Sequence, residues 1–340
     1  MATVLVTGAS GFVGLALAEH LLARGDHVIG YDLAVPPRAA LRAFEALPGR
    51  FVAVSGDVRD TAMLTRALQA HRVHKLVLLA AITADAARER ATPQAIFEVN
   101  VGGVLAAITA AGTVAEDSGA ASARRIVLGS SGAAYGASGH RTALLDEVLT
   151  PLLPEGLYGI SKQTAEAAAL RLAALHGIDL TVGRLGTCFG PWESATGARD
   201  TLSAPYQVLQ HARQGEAVVL PRDSRRDWLY VRDAAAALVA LLDREAMPSP
   251  VYNLAAGFEW SMSQWCARVA DWQPGFRWCV APADTPGQLQ PNISFYTPYD
   301  RASMSIRRLQ ADTGFVPRFD LLAASDDFHA WLKTQAAPDD

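Results

Sequence analysis

The chain has little cysteine and no strong charge of either sign. Three cysteines, Cys188, Cys266 and Cys279, are spread over 340 residues. Their spacing gives neither a disulfide framework nor a C-x-x-C metal pattern, which points to a reducing compartment and no bound metal. A net charge of −4 and a pI near 6.1, with acids and bases interspersed, offer no electrostatic ground for binding nucleic acid or an anionic membrane surface. No internal repeat or low-complexity tract is present. No 18-residue apolar run stands out as a membrane span. The lead from Met1 into Thr3-Val-Leu-Val6 lacks the charged start and longer apolar stretch of a signal peptide. The expectation is a soluble cytoplasmic protein acting on a small molecule.

What the chain does have is half of its residues hydrophobic, enough for a large core. Short runs rich in Val, Ile and Leu alternate with Ala- and Leu-rich helical stretches. Strands are expected at Val4–Val6, His27–Tyr31, Phe51–Ser55, Lys75–Leu79, Arg125–Gly129 and Leu180–Leu185. Runs apolar on both faces suit a parallel sheet covered on both sides. The alternation predicts an α/β fold, a doubly wound parallel sheet of the Rossmann type with a smaller C-terminal substrate lobe. After about Thr187, prolines, tryptophans and loops become frequent. The expected division is 1–186, completed by about 226–256, for the dinucleotide side, with 187–225 and 257–340 for the substrate side. Asp227-Trp-Leu-Tyr-Val-Arg-Asp233, leading into Ala234–Leu242, reads as a strand and helix returning to the main sheet.

Between the first strand and its helix lies Thr7-Gly8-Ala-Ser-Gly11-Phe-Val-Gly14. Glycine here permits a tight turn and lets a pyrophosphate approach bare backbone at the positive end of a helix. Gly8, Ser10, Gly11, Phe12, Val13 and Gly14 are thus the candidate phosphate cradle. A turn of this kind is weak alone, but Asp32 closes the second strand, 18 residues after Gly14, where a carboxylate accepts from the adenosine ribose hydroxyls. It would repel a 2′-phosphate, and no arginine follows directly, so NAD is favoured over NADP.

Tyr158 and Lys162 form a Tyr-x-x-x-Lys pair, one helical turn apart on one face. Tyrosine titrates near pH 10 and needs its phenolate stabilised to act as a base, which the lysine charge would do. Ser131, at the end of the fifth strand, can hold the same substrate oxygen, with Ser130 as a neighbour. Ser131, Tyr158 and Lys162 are the candidate catalytic set.

These residues resemble the extended short-chain dehydrogenase/reductase superfamily, in its NAD-dependent epimerase/dehydratase family. Further signposts are Gly56-Asp57-Val58-Arg-Asp60, Leu79-Ala80-Ala81, Asn100, Tyr135-Gly136, Arg184 to Gly190-Pro191, and Arg226-Asp227 ahead of Tyr230-Val231. The resemblance implies that Asp57 and Val58 contact the adenine and that Ala80 and Ala81 line the nicotinamide ribose. It implies that Lys162 bonds that ribose as well, and that Asn100 lies close to the active site. Cys188 completes the expected cofactor contacts, and Thr83, Ser131, Thr187 and Arg226 are the expected substrate contacts. It also implies a homodimer, formed by the helices around Ile96–Gly112 and Tyr158–Leu175.

Three departures bear on the substrate. Dehydratases of this family carry Asp-Glu directly after the serine-equivalent position, whereas this chain has Gly132-Ala133, so elimination of water has no evident catalyst. Thr187 stands where nucleotide-sugar epimerases usually place an asparagine. Ala283-Asp-Thr-Pro-Gly-Gln288 lacks the arginine of their second diphosphate clamp. Arg226 suits either an anionic substrate group or an ion pair. The reading is an NAD-dependent oxidoreductase acting on a small sugar or sugar acid, with a UDP-sugar 4-epimerase as the alternative and a non-catalytic NAD sensor third. Trp192, Trp260, Trp265 and Tyr296 could shape a pocket, although packing suits most of them better.

Overall fold

The computed structural model describes residues 2–118, 125–282 and 289–336. Seven parallel strands make the main sheet: β1 (Thr3–Thr7), β2 (His27–Asp32), β3 (Arg50–Ser55), β4 (Lys75–Leu78), β5 (Arg125–Ser131), β6 (Asp179–Leu185) and β7 (Val251–Leu254). Their order is β7-β6-β5-β4-β1-β2-β3. The apolar runs are buried on both faces because helices cover both. Val4 and Val6 pack toward α1 (Phe12–Ala23) and α5 (Val231–Asp243), while Leu5 packs on the opposite face. That face is covered by α2 (Thr61–Ala70), α3 (Gly103–Ser118) and α4 (Leu157–His176).

The return to the sheet differs from the sequence expectation. Leu229–Tyr230 pairs in parallel with Cys188–Phe189, outside the main sheet. The helix after it does pack on α1, but the strand that joins the sheet is β7, beside β6. Only four residues long, β7 carries the buried polar Asn253, which hides it among ordinary loop segments. Asn253 is held by the Tyr135 hydroxyl and the Leu145 carbonyl.

A further core lies outside the sheet and is largely aromatic. Phe189, Trp228, Tyr230, Trp260, Trp265 and Phe328 are buried together. Trp260 and Trp265 stack with ring centres 5.6 Å apart. Trp192 packs edge-on to Trp331 and donates to Glu19. Packing is therefore the role of Trp192, Trp260 and Trp265, whereas Tyr296 reaches the cleft described below.

The helical run Pro93–Glu116 is long and apolar enough to cross a membrane by length and composition, and half of its most apolar window is buried. Its α3 part packs against α2 and α4, as a core helix does. The run escaped the sequence reading because small residues and Glu98 and Asn100 interrupt it. It contains a π-helical turn, Glu98–Gly102.

Candidate active site

The strand order reverses between β1 and β4, which opens a crevice at the carboxyl ends of those strands. A cleft of about 980 Å³ occupies it and extends past β5 to residues 294–301.

The glycine-rich turn forms one wall. Gly8 has φ of +71°, and a Cβ there would lie 2.7 Å from the Ala80 nitrogen. A Cβ on Gly14 would lie 2.1 Å from the Gly8 carbonyl oxygen. Only glycine lets the turn press against the end of β4 and α1 start directly behind it. Helix α1 begins directly after Gly11 with no side chain capping its amides, so its positive end opens onto the cleft. Those amides, together with Asp32, fit the pyrophosphate and ribose of a dinucleotide. Asp32 closes β2 and accepts from the backbone N–H groups of Ser10 and Ala34, each at 3.0 Å, which locks the turn to the next loop.

Tyr158 and Lys162 rise from the first two turns of α4, and Ser131 ends β5. Burial raises the pKa of the Tyr158 phenol, and the Ser131 hydroxyl, the charge of Arg199 and the Thr83 hydroxyl oppose that rise. Lys162 was expected to supply that stabilising charge. Instead its ammonium donates to the Gly129 carbonyl at 2.7 Å. Burial lowers Lys162 to about 8, with Glu166 opposing. The Ser130 hydroxyl donates to Glu166, which also takes a bidentate pair from Arg184. This buried network stiffens the floor behind the cleft.

The expected residues divide in two. Gly8, Gly11, Phe12, Val13, Gly14 and Ala81 line the cleft, as do Thr83, Ser131, Tyr158, Lys162, Thr187, Cys188 and Arg226. Ser10, Asp32, Asp57, Val58, Ala80 and Asn100 do not line it. Asp57 has its carboxylate bound by Arg59, which holds its pKa low. Val58 is buried against α3. Asn100 is fully buried in the π-helical turn. Its side chain accepts from the Ile82 N–H, and its amide donates to the Ile82 carbonyl and to Ser161. Its place is therefore a brace between the loop after β4 and helix α4. Residues 283–288, read as lacking an arginine, lie outside the described residues.

Two cleft arginines were not foreseen. Arg199 forms a β-bridge with Thr83, stacks its guanidinium 4.9 Å over the Phe12 ring and pairs with the buried Glu193. Arg301 comes from the loop after residue 298 and pairs with Asp227. Both arrive on irregular segments far along the chain, where no spacing marks them. Arg226 is buried, donates to Thr297 and lies 3.9 Å from Asp300. Burial, and next the charge of Arg301, lower its pKa to about 10.

Residues 4–255 match the NAD dependent epimerase/dehydratase family. The chain belongs to that family. Members of it are NAD-using enzymes with this Rossmann-type sheet, and this chain is one. It is 28% identical over 265 residues to the dTDP-glucose 4,6-dehydratase of Xanthomonas campestris pv. campestris, covering 76% of this chain and 72% of that one. It is 26% identical over 278 residues to the UDP-glucose 4-epimerase of Streptomyces lividans, covering 76% and 78%. Among solved structures, MoeE5 in complex with UDP-glucuronic acid and NAD superposes with a TM-score of 0.75 at 24% identity, over 98% of this chain and 99% of that one. This last likeness is one of fold.

Proposed function

We propose that this family member transfers a hydride between NAD and a hydroxyl-bearing carbon of a sugar or sugar acid that carries an anionic group. One observation carries the reading. A single cleft holds Tyr158, Ser131 and Thr83 together with the guanidiniums of Arg226 and Arg301. Ser131 and Thr83 hold the substrate oxygen. Tyr158 takes the proton from an alcohol and returns it to a carbonyl, with Arg199 favouring its phenolate. Lys162 holds the Gly129 end of β5 and would bond the nicotinamide ribose. Bound NAD supplies the hydride acceptor. Gly8, Gly11, Gly14 and the first amides of α1 would hold its pyrophosphate, and Asp32 its adenosine ribose.

Elimination of water finds no second acid/base pair beside Ser131, because Gly132 and Ala133 follow it. A second reading, 4-epimerisation of a UDP-sugar, uses the same proton and hydride steps. It is favoured by the epimerases among the relatives. The lobe division at 187–225 and 257–340, a homodimer through the helices around Ile96–Gly112 and Tyr158–Leu175, and a cytoplasmic location belong to the same proposal.

The test is turnover with NAD, read as NADH absorbance and as product isomers, over neutral sugars, sugar acids, UDP-glucose and UDP-glucuronate. NADH accumulating with an anionic sugar is the expected result. An isomerised UDP-sugar without NADH would promote the second reading, and no reaction across the panel would sink both.

A further inference from the structure

Arg301 fills the space that a side chain on Gly132, the residue after Ser131, would need. Its Nη1 lies 2.1 Å from the Cβ position of Gly132, and its Cγ lies 2.6 Å from that of Gly139. Two glycines thus make room for one guanidinium against the backbone beside the serine. Asp227, almost wholly buried, steadies it: one carboxylate oxygen is 3.3 Å from Nη2, and the other accepts from the Met304 N–H. The Arg301 Nε is buried without a partner, as is that of Arg226.

Charge at this wall is unbalanced. Arg222, Arg226 and Arg301 gather around two carboxylates, Asp227 and Asp300. Asp300 is already engaged by Arg222, Ser224 and the Arg225 N–H. Arg226 and Arg301 repel each other, and each keeps an unpaired N–H. Packing like charges side by side costs stability, and a ligand anion in the cleft would relieve that repulsion.

We infer that Arg301 selects the substrate by holding a carboxylate on the sugar itself, close to the carbon whose oxygen Ser131 binds, so that the substrate class is a sugar acid rather than a neutral sugar. The inference rests on the hydride-transfer reading above. A planar guanidinium meets a carboxylate with two parallel bonds. A diphosphate at Arg301 would have to lie against the backbone next to Ser131, where the reacting carbon belongs. Arg226, beside Thr297, is left for an anionic group farther along the substrate.

The experiment compares matched pairs with the NAD-loaded protein: D-glucuronate against D-glucose, D-galacturonate against D-galactose, and UDP-glucuronate against UDP-glucose. Turnover is read as NADH and as isomer formation. The acid of at least one pair should be preferred in kcat/KM by about 10- to 100-fold, the range of a hydrogen-bonded charge pair. Arg301→Met should bring the acid-to-neutral ratio close to one, whereas a merely structural loss would lower both members together. Arg301→Lys keeps the charge and should retain part of the preference. NAD affinity, measured on each variant, reports that it is folded. Equal turnover of acid and neutral sugar by the wild type, or a preference that survives Arg301→Met, overturns the inference and leaves hydride transfer standing. Turnover of no pair overturns both.

Discussion

The ammonium of Lys162 stands 6.0 Å from the centre of the Tyr158 ring and gives its hydrogen bond to the Gly129 carbonyl instead. The Tyr-x-x-x-Lys spacing thus places both groups at the cleft without pairing them. The charge bearing on the phenol comes from Arg199, on a segment bridged to Thr83.

Lys162 should leave a signature in stability against pH. Burial lowers it to about 8 from 10.5. A cation whose folded pKa is lowered destabilises the fold below that pKa. The cost is relieved as pH rises from about 8 toward the unfolded value, because there only the unfolded chain still holds the proton. Comparing melting temperatures of wild type and Lys162→Met at about pH 7 and about pH 10, the difference should move in favour of the wild type at the higher pH. A difference that stays constant would mean that Lys162 does not titrate in this window.

Tyr158→Phe removes the hydroxyl that lies beside Ser131 and Thr83 and leaves the ring. Turnover should fall by about 10²- to 10⁴-fold, the usual contribution of a general acid/base. NAD affinity should remain close to that of wild type, since the phosphate cradle lies on α1. Retention of most activity would remove Tyr158 from the mechanism.

Asp32 braces the glycine-rich turn and, in the proposed function, holds the adenosine ribose. Asp32→Ala should weaken NAD binding by about 1.5–3 kcal/mol through the lost ribose bonds to a charged group and should improve NADP relative to NAD. Because the carboxylate also accepts from Ser10 and Ala34, the melting temperature should fall in the absence of cofactor as well. Titration of both cofactors, with melting curves beside it, checks both parts. A wild type that prefers NADP would contradict the role given to Asp32.

The legible parts of this protein were those written in local sequence. Six strands announce themselves by apolar runs, and the Gly8–Gly14 turn and the Tyr158–Lys162 spacing sit within single strand–helix units. What stayed hidden depends on distant segments meeting. Strand β7 is short and carries Asn253, whose polarity makes sense only beside Tyr135, 118 positions away in the chain. Arg199 and Arg301 lie on irregular segments and gain meaning only from Phe12, Thr83 and Gly132. Asn100 was expected near the chemistry, yet its side chain is spent on Ile82 and Ser161, a brace that no motif can reveal. The pairing of Lys162 with Gly129 was likewise invisible, since spacing fixes the face of a helix but not the acceptor opposite it.

Gly132 carries the last prediction, because its lack of a side chain is what admits Arg301. A methyl group there would meet Arg301 Nη1 at 2.1 Å and the Met304 sulfur at 2.9 Å. Both are ends of flexible side chains, so Gly132→Ala should fold, at an overpacking cost of about 1–3 kcal/mol. The guanidinium must then move away from the backbone beside Ser131. Turnover of a sugar acid should fall by at least about tenfold, the scale of one hydrogen-bonded charge, with NAD affinity unchanged. Kinetics and a cofactor titration on the one variant decide it. Unchanged turnover of the acid would mean that the placement of Arg301 over Gly132 is packing and not recognition.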